Sequence, residues 1–129
     1  MSVRMSVRMS VRILGITFKE NCPDVRNSKV EDIINRLKEY GVKPIVTDPQ
    51  ADIKEAKHVY GIDLMDMEAI KDADCLIFAV AHKEFRELSL DRIDSFYIKG
   101  GDSGKVLIDV KGIFNRKELE EKAYSYWRL

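Results

Sequence analysis

Seven residues, Asp74-Cys75-Leu76-Ile77-Phe78-Ala79-Val80, constrain this chain more than any others. A nearly continuous apolar run of this kind suits a central parallel strand covered on both faces, so two further layers must be found elsewhere in the chain. Candidates lie on either side. Val11, Ile13, Leu14 and Ile16 form an apolar, β-branched run that ends around Gly15, Ile45 and Val46 sit in a second run from Lys43 to Thr47, and Lys105 to Val110 (KVLIDV) reads as a third buried strand.

Helical patterns alternate with these runs. Val30, Ile33, Ile34, Leu37 and Tyr40 recur at helical spacing with Gly41 at the expected end, and Ser28 with Glu31 reads as a capping box at the start. Shorter helices are predicted from Ala51 to about Tyr60, from Met65 to Ala73 with Asp66 as cap, over Ala81–Phe85, around Leu90 to Phe96, and from about Asn115, where Asn-x-x-Glu again resembles a capping box. Gly100, Gly101 and Gly104 mark a surface turn. Four strands alternating with helices define an α/β fold: one doubly wound, Rossmann-like parallel sheet in a single three-layer α/β/α domain.

MSVR occurs three times from Met1 to Arg12, and no fold has a four-residue period. Residues 1–10 are therefore expected to be an artefact or reiterated start, and 11–129 the domain, with room for one core. Lys plus Arg equals Asp plus Glu at 22 each. No general field draws the chain to nucleic acid or an anionic membrane, so any anion site must be local. With no apolar run near the ~20 residues of a membrane span and no visible signal peptide, the expectation is a soluble, cytoplasmic protein. Cys22 and Cys75, and His58 and His82, stand apart without ligand spacing, so no metal site is expected; Cys75 reads as a small buried hydrophobe.

The chemistry concentrates in Val11–Glu31: strand, polar loop, helix N-terminus, the arrangement that sets an anion site at the carboxyl end of a parallel strand. In the loop, Lys19 and Arg26 bracket a turn and both could neutralise phosphate, or stand as two solvated cations. Asp24 orders the loop or pairs with a cation, Pro23 stiffens it, and Phe18 offers a ring face to a base or fills the core. The dinucleotide pattern G-x-G-x-x-G fails, because Gly15 is followed by Ile16-Thr17-Phe18. Asp48, at the end of the second strand, reads first as a turn-forming Asp-Pro and second as a ribose-binding carboxylate.

GITFKENCPDVRNSKV resembles the opening motif of the C-terminal domain of the UDP-glucose/GDP-mannose dehydrogenase family, with its glycine, Phe-Lys pair, Asp-x-Arg and small polar residue. Thr47-Asp48-Pro49, Ala79-Val80-Ala81-His82 and Ile108-Asp109-Val110-Lys111-Gly112 agree with it, and the Glu-Asn-Cys-Pro-Asp version resembles the branch that oxidises UDP-N-acetylhexosamines for surface polysaccharides. The resemblance implies the nucleotide-sugar (UDP)-binding part of an NAD-dependent enzyme that converts a sugar C6 alcohol to a carboxylate, using two NAD⁺. It implies that Phe18, Lys19 and Lys111 contact the UDP-sugar and that Arg26 reaches NAD across the domain cleft. Lys111 stands where many members carry arginine, keeping the charge without the bidentate fork.

No catalytic residue is assigned, since the family's glycine-flanked cysteine motif has no counterpart here. The resemblance implies that NAD is bound mainly by an N-terminal domain, and that the full-length enzyme forms a homo-oligomer. The fragment alone is expected to be inactive. Two other readings stay open: a non-catalytic interaction or regulatory module on the same fold, and an assembly domain using Tyr124, Tyr126 and Trp127 as a contact surface. A receiver-type module is disfavoured, because Ile16-Thr17-Phe18-Lys19 supplies no acidic cluster.

Overall fold

The computed structural model describes residues 10–98 and 105–128; the MSVR repeat up to Met9 and the predicted glycine turn at 100–104 lie outside them. Among the described residues five strands, β1 (Val11–Leu14), β2 (Ile45–Thr47), β3 (Cys75–Phe78), β4 (Lys105–Asp109) and β5 (Tyr124–Arg128), form one sheet in the order β2-β1-β3-β4-β5. Every pairing is parallel. The helices are α1 (Val30–Glu39), α2 (Ile53–Tyr60), α3 (Lys83–Arg86), α4 (Leu90–Asp94) and α5 (Arg116–Glu121).

Side-chain alternation along the strands divides the core in two. Val11, Ile13, Val46, Cys75 and Ile77 pack with Val30 and Ile34 of α1 and Ala56 of α2. Leu14, Leu76, Phe78 and Leu107 pack on the opposite face with Phe85, Ile93 and Leu119 of α3, α4 and α5. Successive residues of β3 thus serve opposite cores, which is why its sequence is apolar without a break.

The register fixes one shared edge. Leu14 pairs with Phe78 and Phe78 with Asp109, so β1, β3 and β4 end level on one side of the sheet. The chain leaves β1 toward β2 and returns past it to β3. That reversal opens a crevice between the loops that follow β1 and β3, where ligands bind in open α/β sheets.

Three local expectations are corrected. Ser28 and Glu31 do not form a capping box: Lys29 is the N-cap, without a side-chain bond, and Ser28 Oγ accepts from Val30 N–H at 3.1 Å. The reason is that Ser28 is buried, with its own N–H donated to the Tyr60 hydroxyl at 3.3 Å, so its hydroxyl closes a local turn instead. From Met65 to Ala73 there is only a 3₁₀ turn, Met67–Ala69, although Asp66 does cap it by accepting from Glu68 N–H. A fifth strand, β5, joins the four predicted. Its Tyr124 and Tyr126 are buried in the α3–α5 core while Trp127 is 60% exposed, so two of the three aromatics of the assembly reading are core residues. Gly61 ends α2 in the left-handed region as expected, and of the box expected at the start of α5 the Asn115 half forms, its Oδ1 accepting from Glu118 N–H.

Candidate nucleotide site at the carboxyl edge

The crevice is a cleft of about 410 Å³, lined by Phe18 and Lys19 after β1, Ser28 and Lys29 at the start of α1, Ala79 to Ala81 after β3, Arg86 of α3 and Lys111 after β4. Phe18 and Lys19 are exposed, the Phe18 ring by 57%. An uncovered aromatic face among Lys19, Lys29, Arg86 and Lys111 is suited to a ring-bearing anion, since each cation adds to a local field that the neutral chain as a whole lacks. Among the described residues the one carboxylate on the cleft, Glu20, approaches the Arg86 guanidinium at 3.9 Å. Phe18, Lys19 and Lys111 are therefore brought together. Arg26 is not; it borders a separate surface depression with Asp24, Asn27 and Tyr60.

The loop after β1 is held from below by a carboxylate. Asp48 is buried, and its Oδ2 accepts from Ile16 N–H (2.7 Å), Thr17 N–H (3.3 Å) and His82 Nε2 (3.0 Å). Its Oδ1 accepts from Gln50 and Ala51 N–H at 2.8 and 3.0 Å, and so the same side chain builds the turn into α2. A carboxylate with five donors has no lone pair left for a ribose, which removes the ribose reading of Asp48. His82, fully buried, also reaches Thr17 Oγ1 at 3.1 Å and accepts from Asn21 N–H at 2.9 Å on Nδ1.

A second buried carboxylate holds the Lys111 loop. Asp109 accepts from Ile113 and Phe114 N–H, both at 2.9 Å, and from the Tyr126 hydroxyl at 2.5 Å. Burial, with the hydrogen bond to Asp109, pushes the Tyr126 phenol above its ordinary range. Gly112 turns in the left-handed region with Arg128 packed beside it, a Cβ there falling 3.3 Å from Arg128 Cδ.

Asp24 and Arg26 form a two-pronged pair on the surface, Nε to Oδ1 at 3.0 Å and Nη2 to Oδ2 at 3.1 Å. Hydrogen bonding to Arg26 holds the Asp24 carboxyl below the usual carboxylate range. Asp24 also accepts from Arg26 N–H, and its carbonyl accepts from Phe18 N–H at 2.7 Å, so it shapes the loop directly behind the exposed ring.

The β1 loop does not fit a dinucleotide pyrophosphate. Gly15 N–H is donated to Thr47 O and the next two amides to Asp48, which leaves no cradle of free N–H groups at that turn. Among the described residues no group of three His, Cys, Asp or Glu could hold a metal ion, and no helix is long and apolar enough to cross a membrane. Burial pushes the Cys75 thiol up to about 11, keeping it protonated and unreactive.

A doubly wound sheet with a cationic, aromatic-edged cleft at its switch point defines an α/β domain for an anionic ligand that carries a ring. Residues 12–116 match the family model of the UDP-glucose/GDP-mannose dehydrogenase family, UDP binding domain, and the chain belongs to that family. Protein CapL of Staphylococcus aureus is 47% identical over 120 residues, which is 93% of this chain and 27% of CapL. The UDP-N-acetyl-D-glucosamine 6-dehydrogenase of Pseudomonas aeruginosa is 42% identical over 110 residues, 85% of this chain and 25% of that enzyme. The chain thus spans about a quarter of the length of the curated relatives it matches. In fold it is similar to the crystal structure of NDP-N-acetyl-D-galactosaminuronic acid dehydrogenase from Methanosarcina mazei Go1, with a TM-score of 0.77 at 21% identity, over 95% of this chain and 25% of that one.

Sequence reasoning did not single out Lys29, Arg86 or the His82–Asp48 pair. Lys29 caps α1 and Arg86 ends α3, and the orientation of those helices decides that both face the cleft. His82 stood in a quoted family segment, and its position directly after the central strand was the available signal.

Proposed function

We propose that residues 11–129 are the nucleotide-sugar-binding C-terminal domain of an NAD-dependent UDP-sugar 6-dehydrogenase, the repeat at 1–10 lying outside it. The carrying observation is that Phe18, Lys19 and Lys111, from loops far apart in sequence, border one cleft. Lys19 and Lys111 neutralise the diphosphate as charged donors, and the Phe18 face takes the uracil ring. Asp24 orders the loop that carries Phe18 and Lys19.

Arg26, turned to a different surface, serves the NAD site, which the remaining domains of the parent enzyme supply. NAD, when bound there, accepts the hydride at each oxidation; the β1 loop here, with its amides already engaged, leaves the pyrophosphate to those other domains. The parent enzyme works in the cytoplasm as a homo-oligomer, and this chain alone oxidises nothing.

Calorimetric titration with UDP, and with uridine as the control lacking phosphates, tests the assignment. Saturable UDP binding with much weaker uridine binding is expected. A folded chain that takes up neither contradicts it.

A further inference from the structure

The hydrogen-bond geometry of His82 fixes its tautomer. A peptide N–H can only donate, so Nδ1, which receives Asn21 N–H at 2.9 Å, carries no proton. The ring proton is on Nε2, between Asp48 Oδ2 at 3.0 Å and Thr17 Oγ1 at 3.1 Å. Thr17 in turn donates its hydroxyl proton to the Lys19 carbonyl at 2.8 Å. One buried ring therefore grips the loop on both sides of Lys19: through Thr17 before it, and at the Asn21 amide after it. Asn21 is in the left-handed region at φ 55°, and its side-chain oxygen accepts from Lys83 N–H at 2.8 Å, which ties the same turn to α3. The Phe85 ring, 5.4 Å from the imidazole between centroids, packs beside it.

Lys19 itself is exposed and makes no ion pair among the described residues, so nothing at its tip holds it in place. Its backbone is what places the ammonium on the cleft. We propose that His82 is a positioning residue for nucleotide diphosphate binding: as the neutral, Nε2-protonated imidazole it holds Lys19 toward the cleft without touching the ligand. The inference rests on the reading of the cleft as a nucleotide site.

Two substitutions separate the two halves of the ring. The amide of His82→Asn offers an oxygen near the Nδ1 position and keeps the Asn21 contact, whereas His82→Gln offers N–H near Nε2, keeps Asp48 and loses Asn21. UDP titration of the chain is expected to show about tenfold weaker binding for His82→Gln, which releases the Asn21 side, and several-fold weaker binding for His82→Asn, which releases the Thr17 side. In a Lys19→Ala background His82→Gln should add less than about twofold, because the lever then moves nothing. Amide exchange at Asn21 should quicken in His82→Gln and not in His82→Asn.

If His82→Gln does not fold, Thr17→Val replaces it: the hydroxyl bridge to Lys19 is cut, and UDP binding should weaken several-fold. Wild-type affinity in whichever of these variants is tested overturns the positioning role, as does an undiminished His82→Gln effect in the Lys19→Ala background. A wild-type chain that does not bind UDP overturns the site reading and this inference together. Binding that Lys19→Ala weakens and His82→Gln leaves alone overturns only the inference.

Discussion

Gly15 lies so close to Val80 that a Cβ built on the glycine falls 2.7 Å from Val80 Cβ and 2.9 Å from its backbone nitrogen, and Gly15 holds φ at +108°. The two residues follow the neighbouring strands β1 and β3, and Val80 forms part of the cleft floor. Gly15→Ala adds both a steric overlap that backbone must relieve and a backbone conformation that L-residues avoid. Together these should cost about 2 to 5 kcal/mol, read as a shift in the urea midpoint. A midpoint equal to wild type would show that the floor yields easily.

Asp48 and Asp24 are both loop aspartates, and burial separates them. Asp48→Asn replaces acceptors for five donors by a group with one oxygen and turns its own N–H₂ against them, so a loss of about 2 to 4 kcal/mol in denaturant stability is expected. Asp24→Asn, on the surface, should leave the midpoint in place and loosen only the pairing with Arg26.

Stability should fall in alkali. The Cys75 thiol is pushed up to about 11 from 9.0 by burial, and burial raises the phenols of Tyr97 and Tyr124 as well. A group whose folded pKa is raised binds its proton more tightly when folded, so its contribution is complete below the unfolded pKa and is lost as pH rises through the folded one. The denaturant midpoint should be flat up to about pH 9 on this account and decline toward pH 11. Cys75→Ser should lessen that decline, while in the native state at neutral pH maleimide should label Cys22, half-buried in its loop, well before Cys75.

The alternation of apolar runs and helical patterns in the sequence was enough to place the parallel sheet and the shared edge on which β1, β3 and β4 end, because each predicted strand is apolar on both faces or nearly so. β5 escaped for the opposite reason. YSYWR alternates buried Tyr124 and Tyr126 with exposed Ser125 and Trp127, and only Lys122 and Ala123 separate it from the six-residue helix α5. The Lys19–Lys111 cleft was legible because each cation follows a recognisable strand. The Asp48–His82 support was not, since Asp48 reaches Ile16 across 32 positions and His82 reaches Thr17 across 65, and only the strand order brings them together.

On the proposed function, Lys19 and Arg26, seven positions apart on one loop, serve different ligands. Calorimetric titration of the chain with UDP, for wild type, Lys19→Ala and Arg26→Ala, tests it most directly. Loss of a charge-assisted hydrogen bond is worth roughly 1.5 to 3 kcal/mol, so Lys19→Ala should raise the Kd about tenfold to a hundredfold while Arg26→Ala leaves it nearly unchanged. Equal losses from the two substitutions would make the loop one undivided phosphate clamp and contradict the account.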